Sequence, residues 1–427
     1  MPSTYQLWLT DDVGTRLLEL KNYAFISYSR SLLGLGTFNI GIPYKQFVTE
    51  ISPYFEVDRR VEVWRSPDIG YPLRRENVYL LRKPRIYTRE SDSVQILELF
   101  GRSPIDLLRR RVIIQAAGSI YTTKTGTIDD IMKQIVREQM LYNDALDENG
   151  AVDNTRAYPQ TGFFVQENLS LGPSVSVEYA DRNVLDVLNE LRDMSFQKTK
   201  EDSANIRIGF DVTPSEQDAA LRFILEEDYD IILDEDGILL EAEDSAAVYS
   251  KNGFRFITYA NLYGLDRTKG TVFSVENNNL RAPFYSKDHL EEVNTVIVKG
   301  LGRGDSRSVS IVQDQERVYS SRWNRCESFL DAGNEPDASN LDDLGKSALW
   351  DGEPIEQVTA VFLSVPQSQD SPSSLYGIDW DLGDLLPVEY AGKRFDCEVV
   401  IVYVSINDRG QENITGRNEV DNSGEQT

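Results

Sequence analysis

The chain has 427 residues, 40% hydrophobic and 27% charged, an ordinary globular composition with room for roughly two to four domains. Its formal charge is −26, from 44 Lys and Arg against 70 Asp and Glu, which argues against grip on a nucleic-acid backbone, since that needs clustered cations. No apolar run reaches the ~18 residues that span a bilayer, and "MPSTYQLWLTDDVG" lacks the basic patch and apolar core of a signal peptide, so cytoplasmic synthesis without a leader and no membrane contact are expected.

Residues 1–116 read as mostly strands. "YQLWL" (5–9) and "RVEVW" (60–64) alternate with period two, and "VQILELF" (94–100) reads as a half-buried strand. The turn signals "LGLGTF", "SPDIGYP" and "RKPR" separate them, a pattern of an antiparallel sandwich or barrel. Over 117–270 the pattern changes to α+β. Ile128, Ile131, Met132, Ile135 and Val136 form one helical stripe, with Thr127 placed to cap it. A second helix is predicted over 181–196, capped by Asp181 and buried along Val184, Val187, Leu188 and Leu191. A polar loop (143–162) lies between them, and "YDIILDEDGILLEAED" (229–244) reads as a hairpin turning at 234–237.

From 271 to 408 β-branched runs return, among them "NTVIVKG", "RSVSIV", "VTAVFLSV" and "CEVVIVYVSI". One short helix (340–350) interrupts them, with Leu341, Leu344 and Ala348 on one side. Residues 409–427 are almost wholly polar and are expected to be a disordered tail. Charge is uneven along the chain. Residues 74–111 carry ten basic and five acidic side chains, 226–244 carry ten acids and no base, and 329–384 carry twelve acids against Lys346 alone. Solvated faces account for such runs, as does docking between subunits of opposite charge.

The stretch most suggestive of chemistry is "VKGLGRGDSRSVSI" (298–311). A dinucleotide fingerprint needs G-x-G-x-x-G followed by a helix whose amino terminus meets the pyrophosphate. Here Gly300, Gly302 and Gly304 are followed by Asp305 at the sixth position and then by a strand-like alternation, and no Walker lysine follows. The glycines therefore read as a turn between strands, with backbone at positive φ. The single histidine, His289, sits in a polar segment and reads as a surface residue, so a two-histidine zinc site is excluded. The "DEDG" run lacks EF-hand spacing. No cofactor or metal is implied, and no carboxylate pair can be nominated for glycoside hydrolysis. The two cysteines, Cys326 and Cys397, are too few for a disulfide scaffold, and the sequence leaves a bond between them open.

The carboxy-terminal third joins these pieces: "NTVIVKGLGRGDSRSV", "RCESFLDAGNEPDASNLDDLGKSAL" and "YGIDWDLGDLLPVEY". It resembles the tail-hub proteins of long-tailed bacteriophages, the baseplate-hub or tail-associated proteins of the tail tip. The matching positions are Asn294, Val296, Val298, Gly300 and Gly302, then Glu327, Phe329 and Asp331, then Asp381, Leu382, Gly383 and Asp384. Near the front, "FGRSPIDLLRRRVI" and "DRNVLDVLNELRDMS" resemble the exit from a first barrel and the helix of an inserted domain.

The resemblance implies a β-rich α+β fold: two tail-tube-like antiparallel β-barrel domains, 1–116 and 271–408, with an inserted α+β domain at 117–270. It implies a virion structural protein without enzymatic activity, a homotrimer around a DNA channel. The implied partners are tail-tube and distal-tail proteins, spike or receptor-binding fibre proteins, and the tape-measure protein. Arg109, Arg110 and Arg111 are the interface candidates, with a solvated helix end as the ordinary alternative. Gly383 joins the three glycines above as a structural turn. Two other classes stay open: a tail-tip cell-wall hydrolase using an unrecognised carboxylate pair, and a glycan-binding adhesin using the Tyr and Trp side chains.

Overall fold

The computed structural model describes residues 4–418 except 13, 69, 90–92, 115–120, 161, 202–204, 216–252, 303–306, 334–339 and 369–370. The expected hairpin at 229–244, the acids at 226–244 and Gly304 lie outside the described residues.

The amino-terminal region supplies β1 (Thr4–Thr10), β2 (Arg16–Glu19), β3 (Phe25–Ser31), β4 (Thr37–Pro43), β5 (Arg60–Ser66), β6 (Arg74–Thr88) and β7 (Gln95–Arg102). The middle region supplies the short α1 (Asp106–Arg109), β8 (Thr122–Thr127), α2 (Ile128–Met140), β9 (Phe163–Val165), β10 (Ser174–Tyr179), α3 (Val184–Glu201), β11 (Ile208–Ser215) and β12 (Gly253–Ala260). The last region supplies β13 (Leu280–Asp288), β14 (Thr295–Lys299), β15 (Val309–Gln313), α4 (Gln315–Tyr319), β16 (Glu327–Asp331) and α5 (Asn340–Asp351). It ends with β17 (Ile355–Leu363), β18 (Leu385–Tyr390), β19 (Lys393–Glu398), β20 (Ile401–Asn407) and β21 (Glu412–Arg417).

Two tail-tube-like barrel domains are expected from the resemblance; eleven of the described strands, drawn from both ends of the chain, join in one sheet in the order β13-β17-β21-β20-β3-β4-β7-β6-β5-β1-β2. The join is β3 against β20, antiparallel from Phe25↔Asn407 to Ser31↔Ile401. Strand content is written in local alternation, whereas the choice of partner is a long-range event that no local pattern encodes. A second difference follows from the same sheet. Residues 412–417, expected to lie in a disordered tail, form β21 between β17 and β20. Its single inward apolar residue, Ile414, is buried in the shared core, and ladder hydrogen bonds to two neighbours supply what the sparse hydrophobicity does not.

One core runs through both ends of the chain, from Leu7 and Ile40 to Trp380, Val402 and Ile414. A second core belongs to the middle region and packs α2 and α3 against β9, β11 and β12. Strand β6 is the wall between them. Its continuous run Val78-Tyr79-Leu80-Leu81 sends Tyr79 and Leu81 into the first core and Val78 and Leu80 into the second. A strand covered on both faces needs no polar residue, so this run shows no alternation.

The helices start and end close to expectation. Thr127 caps α2, its hydroxyl accepting from the Asp130 amide at 3.4 Å. The second helix begins at Val184 rather than 181, because Asp181 takes a left-handed turn at φ 50° and Asn183 caps instead, its Oδ1 accepting from the Leu185 amide. Asn183 also donates to the carbonyls of Arg109 and Arg111, so it ties α3 to the chain leaving α1. On α5 the buried side runs through Leu341, Ala348 and Leu349, and Leu344 is exposed rather than part of the stripe.

A further insertion lies inside the last region. Asp288 at the end of β13 pairs with Ile355 at the start of β17, so the segment between them leaves the main sheet and returns at one point. It folds as the three-stranded sheet β15-β14-β16 with α5 on one face and a small core of its own around Val296, Val298, Leu341 and Leu349.

Candidate functional site: the charged seam between the two ends

Four strands of the shared core carry an inward row to a polar residue at one rim. On β1 the row is Leu9, Leu7, Tyr5; on β3 it is Ile26, Tyr28, Arg30; on β5 it is Val61, Val63, Arg65; on β21 it is Ile414, Glu412. Glu76 of β6 and the loop residues Tyr376 and Asp381 complete the rim. Three carboxylates therefore face two guanidiniums and three phenols.

The contacts cross the join of the two ends. Arg65 donates from Nε to Glu412 at 2.9 Å and from Nη1 to the Tyr376 carbonyl at 3.1 Å, with its guanidinium 5.0 Å from the Tyr376 ring. It also lies 4.0 Å from Glu76. Arg30 donates to the Tyr376 hydroxyl and to Asp381, each at 2.7 Å. Tyr5 donates to Glu412, and Tyr28 donates to Glu76.

Burial pushes the Glu76 carboxyl above its ordinary range, although Arg65 and Arg30 pull it down. Burial likewise raises Tyr5, Tyr28 and Tyr376, so the phenols stay neutral donors. For Arg65 burial opposes the charge, but Tyr5, Glu412 and Glu76 outweigh it and hold the guanidinium protonated. Every carboxylate of the rim is committed to a guanidinium or a phenol. The arrangement clamps two chain ends together rather than presenting a free acid and base.

A second clamp lies at the "DLGD" turn. Asp384 is buried and accepts from the Leu265 amide at 2.7 Å, from Arg267 Nε at 2.6 Å and from the Asp381 amide at 2.8 Å. Gly383 sits at φ 84°, where a Cβ would come within 2.7 Å of the Gly264 nitrogen. This turn fastens the segment that returns from the middle region to the last one.

The other sequence candidates lie as follows. Gly300 and Gly302 lie between the antiparallel β14 and β15, with Gly302 at φ 131° and strand β15 as the next described element. Asn294 is fully buried and accepts from the Cys326 amide at 2.9 Å, fixing the start of β14. Arg109 and Arg110 both pair with the buried Asp106 at 2.9 Å, Arg110 also reaches Asp58, and Arg111 lies 4.2 Å over the Tyr158 ring. These three arginines thus already have partners within the chain. His289 is half exposed and meets the buried Glu292 through Nδ1 at 2.7 Å. Cys326 and Cys397 are free thiols. Among the described residues no three His, Cys, Asp or Glu gather to hold a metal.

Sequence reading missed the seam residues, because Tyr5 and Glu412 are 407 positions apart. The available signal is subtle: an Arg, Tyr or Glu that continues the inward parity of an apolar row.

No curated protein matches the chain. Among solved structures, the prophage MuSo2 43 kDa tail protein from Shewanella oneidensis is similar at 12% identity, with 97% of each chain covered and a TM-score of 0.48. A tail protein from Neisseria meningitidis is similar at 11% identity, covering 98% of this chain and 96% of that one, with a TM-score of 0.45. Prophage tail protein gp18 from Listeria monocytogenes is similar at 9% identity, covering 97% and 94%, with a TM-score of 0.46. Residues 7–415 match the family described as Siphovirus ReqiPepy6 Gp37-like protein, and the chain belongs to that siphovirus tail protein family.

Proposed function

We propose that the protein is a homotrimeric hub closing the phage tail tube at its tip and joining the tube and distal-tail rings to the spike or receptor-binding apparatus. One observation carries this reading: the two β-rich ends share one sheet and one core, and that sheet ends in β13 on one side and β2 on the other. Among the described residues each terminal strand has an unpaired edge that a neighbouring copy can cover, and a head-to-tail contact of that kind closes into a ring. Its action is assembly, with the charged seam and the Asp384 turn holding each subunit rigid. An acidic lumen formed by exposed acids of 329–384, such as Asp342, Asp351 and Glu353, repels DNA phosphates and lets the genome pass without specific binding.

Electron microscopy of the purified protein tests the reading. Three-fold rings with a central hole are expected. Particles without a pore on the symmetry axis reject the hub, and a pore lined by bases rejects the acidic lumen. Arg109 is the candidate outward contact of its cluster, because its side chain remains 47% exposed while it holds Asp106. Intact assembly of Arg109→Glu removes it from the interface.

A further inference from the structure

The small unit inserted between β13 and β17 is covered on one face only. Helix α5 packs on the face of Val296, Val298 and Val312, where Gly345 comes so close that a Cβ would lie 2.5 Å from Val312. The opposite face aligns Ile311, Ile297 and Phe329 across three strands in register, with Val309 beside them and Lys299 Nζ 5.8 Å from the Phe329 ring. Antiparallel sheets with one solvated face ordinarily place polar residues there. Here the centre of the face is apolar, between Gln313 and Glu327 at one end and Lys299 and Asp331 at the other, and Ile311 and Phe329 are exposed.

The patch continues past the sheet's end into the loop Tyr319–Arg325. Arg325 bridges Glu327 of β16 and Gln313 of β15, and Asn324 donates to the Arg317 carbonyl, which fixes the loop on the unit. Leu290, Trp323 and Tyr319 are 87%, 85% and 77% exposed, more than any other large hydrophobic side chain among the described residues. Arg322 is exposed between them. Trp, Tyr and Arg on a held loop beside an uncovered apolar face is the composition of a protein-binding hot spot.

The occupant follows from charge and chemistry. The loop carries Arg322 and Arg325, so its partner offers acids around an apolar centre. Helix α3 presents such a surface on the same chain: an open helix face formed by Asp186, Asn189, Glu190, Asp193, Met194 and Gln197. These positions share one helical face. Arg182 and Arg192 hold Glu190 and Asp193 at its rim, and Asp186 is exposed. Met is adaptable and makes favourable sulfur–aromatic contacts. Trp323 is open to solvent within one subunit, so the match is made between copies.

We propose that the Tyr319–Arg325 loop and the adjoining sheet face dock on this face of α3 in a second copy of this chain. Trp323 and Tyr319 cover Met194, and Arg322 meets Asp186 and Asp193. The inference rests on the multi-subunit reading above and names a contact within it.

Two single-cysteine chains, both carrying Cys326→Ser and Cys397→Ser, test it. One bears Trp323→Cys and one tag, the other Asn189→Cys and a second tag. Mild oxidation of the mixture is expected to give a disulfide-linked species carrying both tags, whereas Trp323→Cys mixed with an exposed Val152→Cys control gives none. Arg322→Glu with Arg325→Glu is expected to weaken self-association by about tenfold or more, and a partner chain with Asp186→Lys and Asp193→Lys to restore it. Three-fold rings without the cross-link overturn this contact and leave the hub standing. The cross-link in particles that are not three-fold sustains the contact and removes the trimer. A chain monomeric at all concentrations overturns the contact. So does unchanged self-association of the loop variant with loss of its incorporation into tails, which assigns the loop to a different virion protein.

Discussion

Buried charge is handled in opposite ways in the middle region and at the seam. In the middle region Asp129 and Lys133 are both fully buried one helical turn apart on α2 and pair at 2.8 Å. Thr258 donates to Asp129, and Lys133 donates a further bond to the Glu167 carbonyl at 2.6 Å. The pair is local in sequence and neutral as a unit. The seam instead gathers its charge from both ends of the chain, with one carboxylate more than it has guanidiniums. The titration directions follow. Burial pushes Asp129 up, but Lys133, Thr258 and the Leu169 amide pull harder and leave it below the ordinary range. At the seam burial prevails and Glu76 is raised. A local pair stabilises one element, whereas an assembled network holds only while the whole topology is in place.

The widest break in that comparison comes from Arg65→Ala. It removes the guanidinium that pairs with Glu412 and leaves Glu76 with less counter-charge, and the expected loss is about 3–5 kcal/mol, the range for breaking a buried pair. Denaturant unfolding measures it, and a loss under about 1 kcal/mol would show the seam to be solvated. Lys133→Ala should fall near the lower end of that range, about 3 kcal/mol, because Thr258 and the Leu169 amide still satisfy Asp129.

Acid and base sharpen the contrast. Asp129, with a lowered folded pKa, contributes stability that is present above the ordinary carboxylate range and lost as pH falls through its depressed value. Glu76, with a raised one, contributes stability that is complete below the ordinary range and lost as pH rises through its elevated value. Glu76→Gln keeps a neutral partner for Tyr28 and should gain on the parent as pH rises from about 4.5 toward neutrality. Stability curves of the two proteins that stay parallel across that window would remove the assignment. The smallest effect belongs to the Thr127 cap: Thr127→Ala should cost about 1 kcal/mol, read in the same unfolding experiment.

Legibility in the sequence tracked distance along the chain. The stripes of α2 and α3 were visible because helical period and burial are the same fact, and Val184, Val187, Leu188 and Leu191 are all buried as their spacing requires. The start of α3 was misplaced because Asp181 and Asn183 are equally good caps, and only the carbonyls of Arg109 and Arg111 select Asn183. The strand-turn-strand at Gly300 and Gly302 was legible from the missing helix and the alternation that follows. The arginines at 109–111 were legible as a charge run but not as partners of Asp106 and Tyr158.

The sequence by itself determined the helical stripes of α2 and α3, the β-rich character of both ends, the reading of Gly300 and Gly302 as a turn, and the resemblance to tail proteins. These rest on periodicity and local turn chemistry, which act over a few residues. Only the tertiary structure decided that the two ends share one sheet through β3 and β20, that residues 412–417 are a strand, and that Arg65 meets Glu412. Strand pairing and buried charge are settled by which surfaces exclude water together, and that choice is made across the whole chain at once.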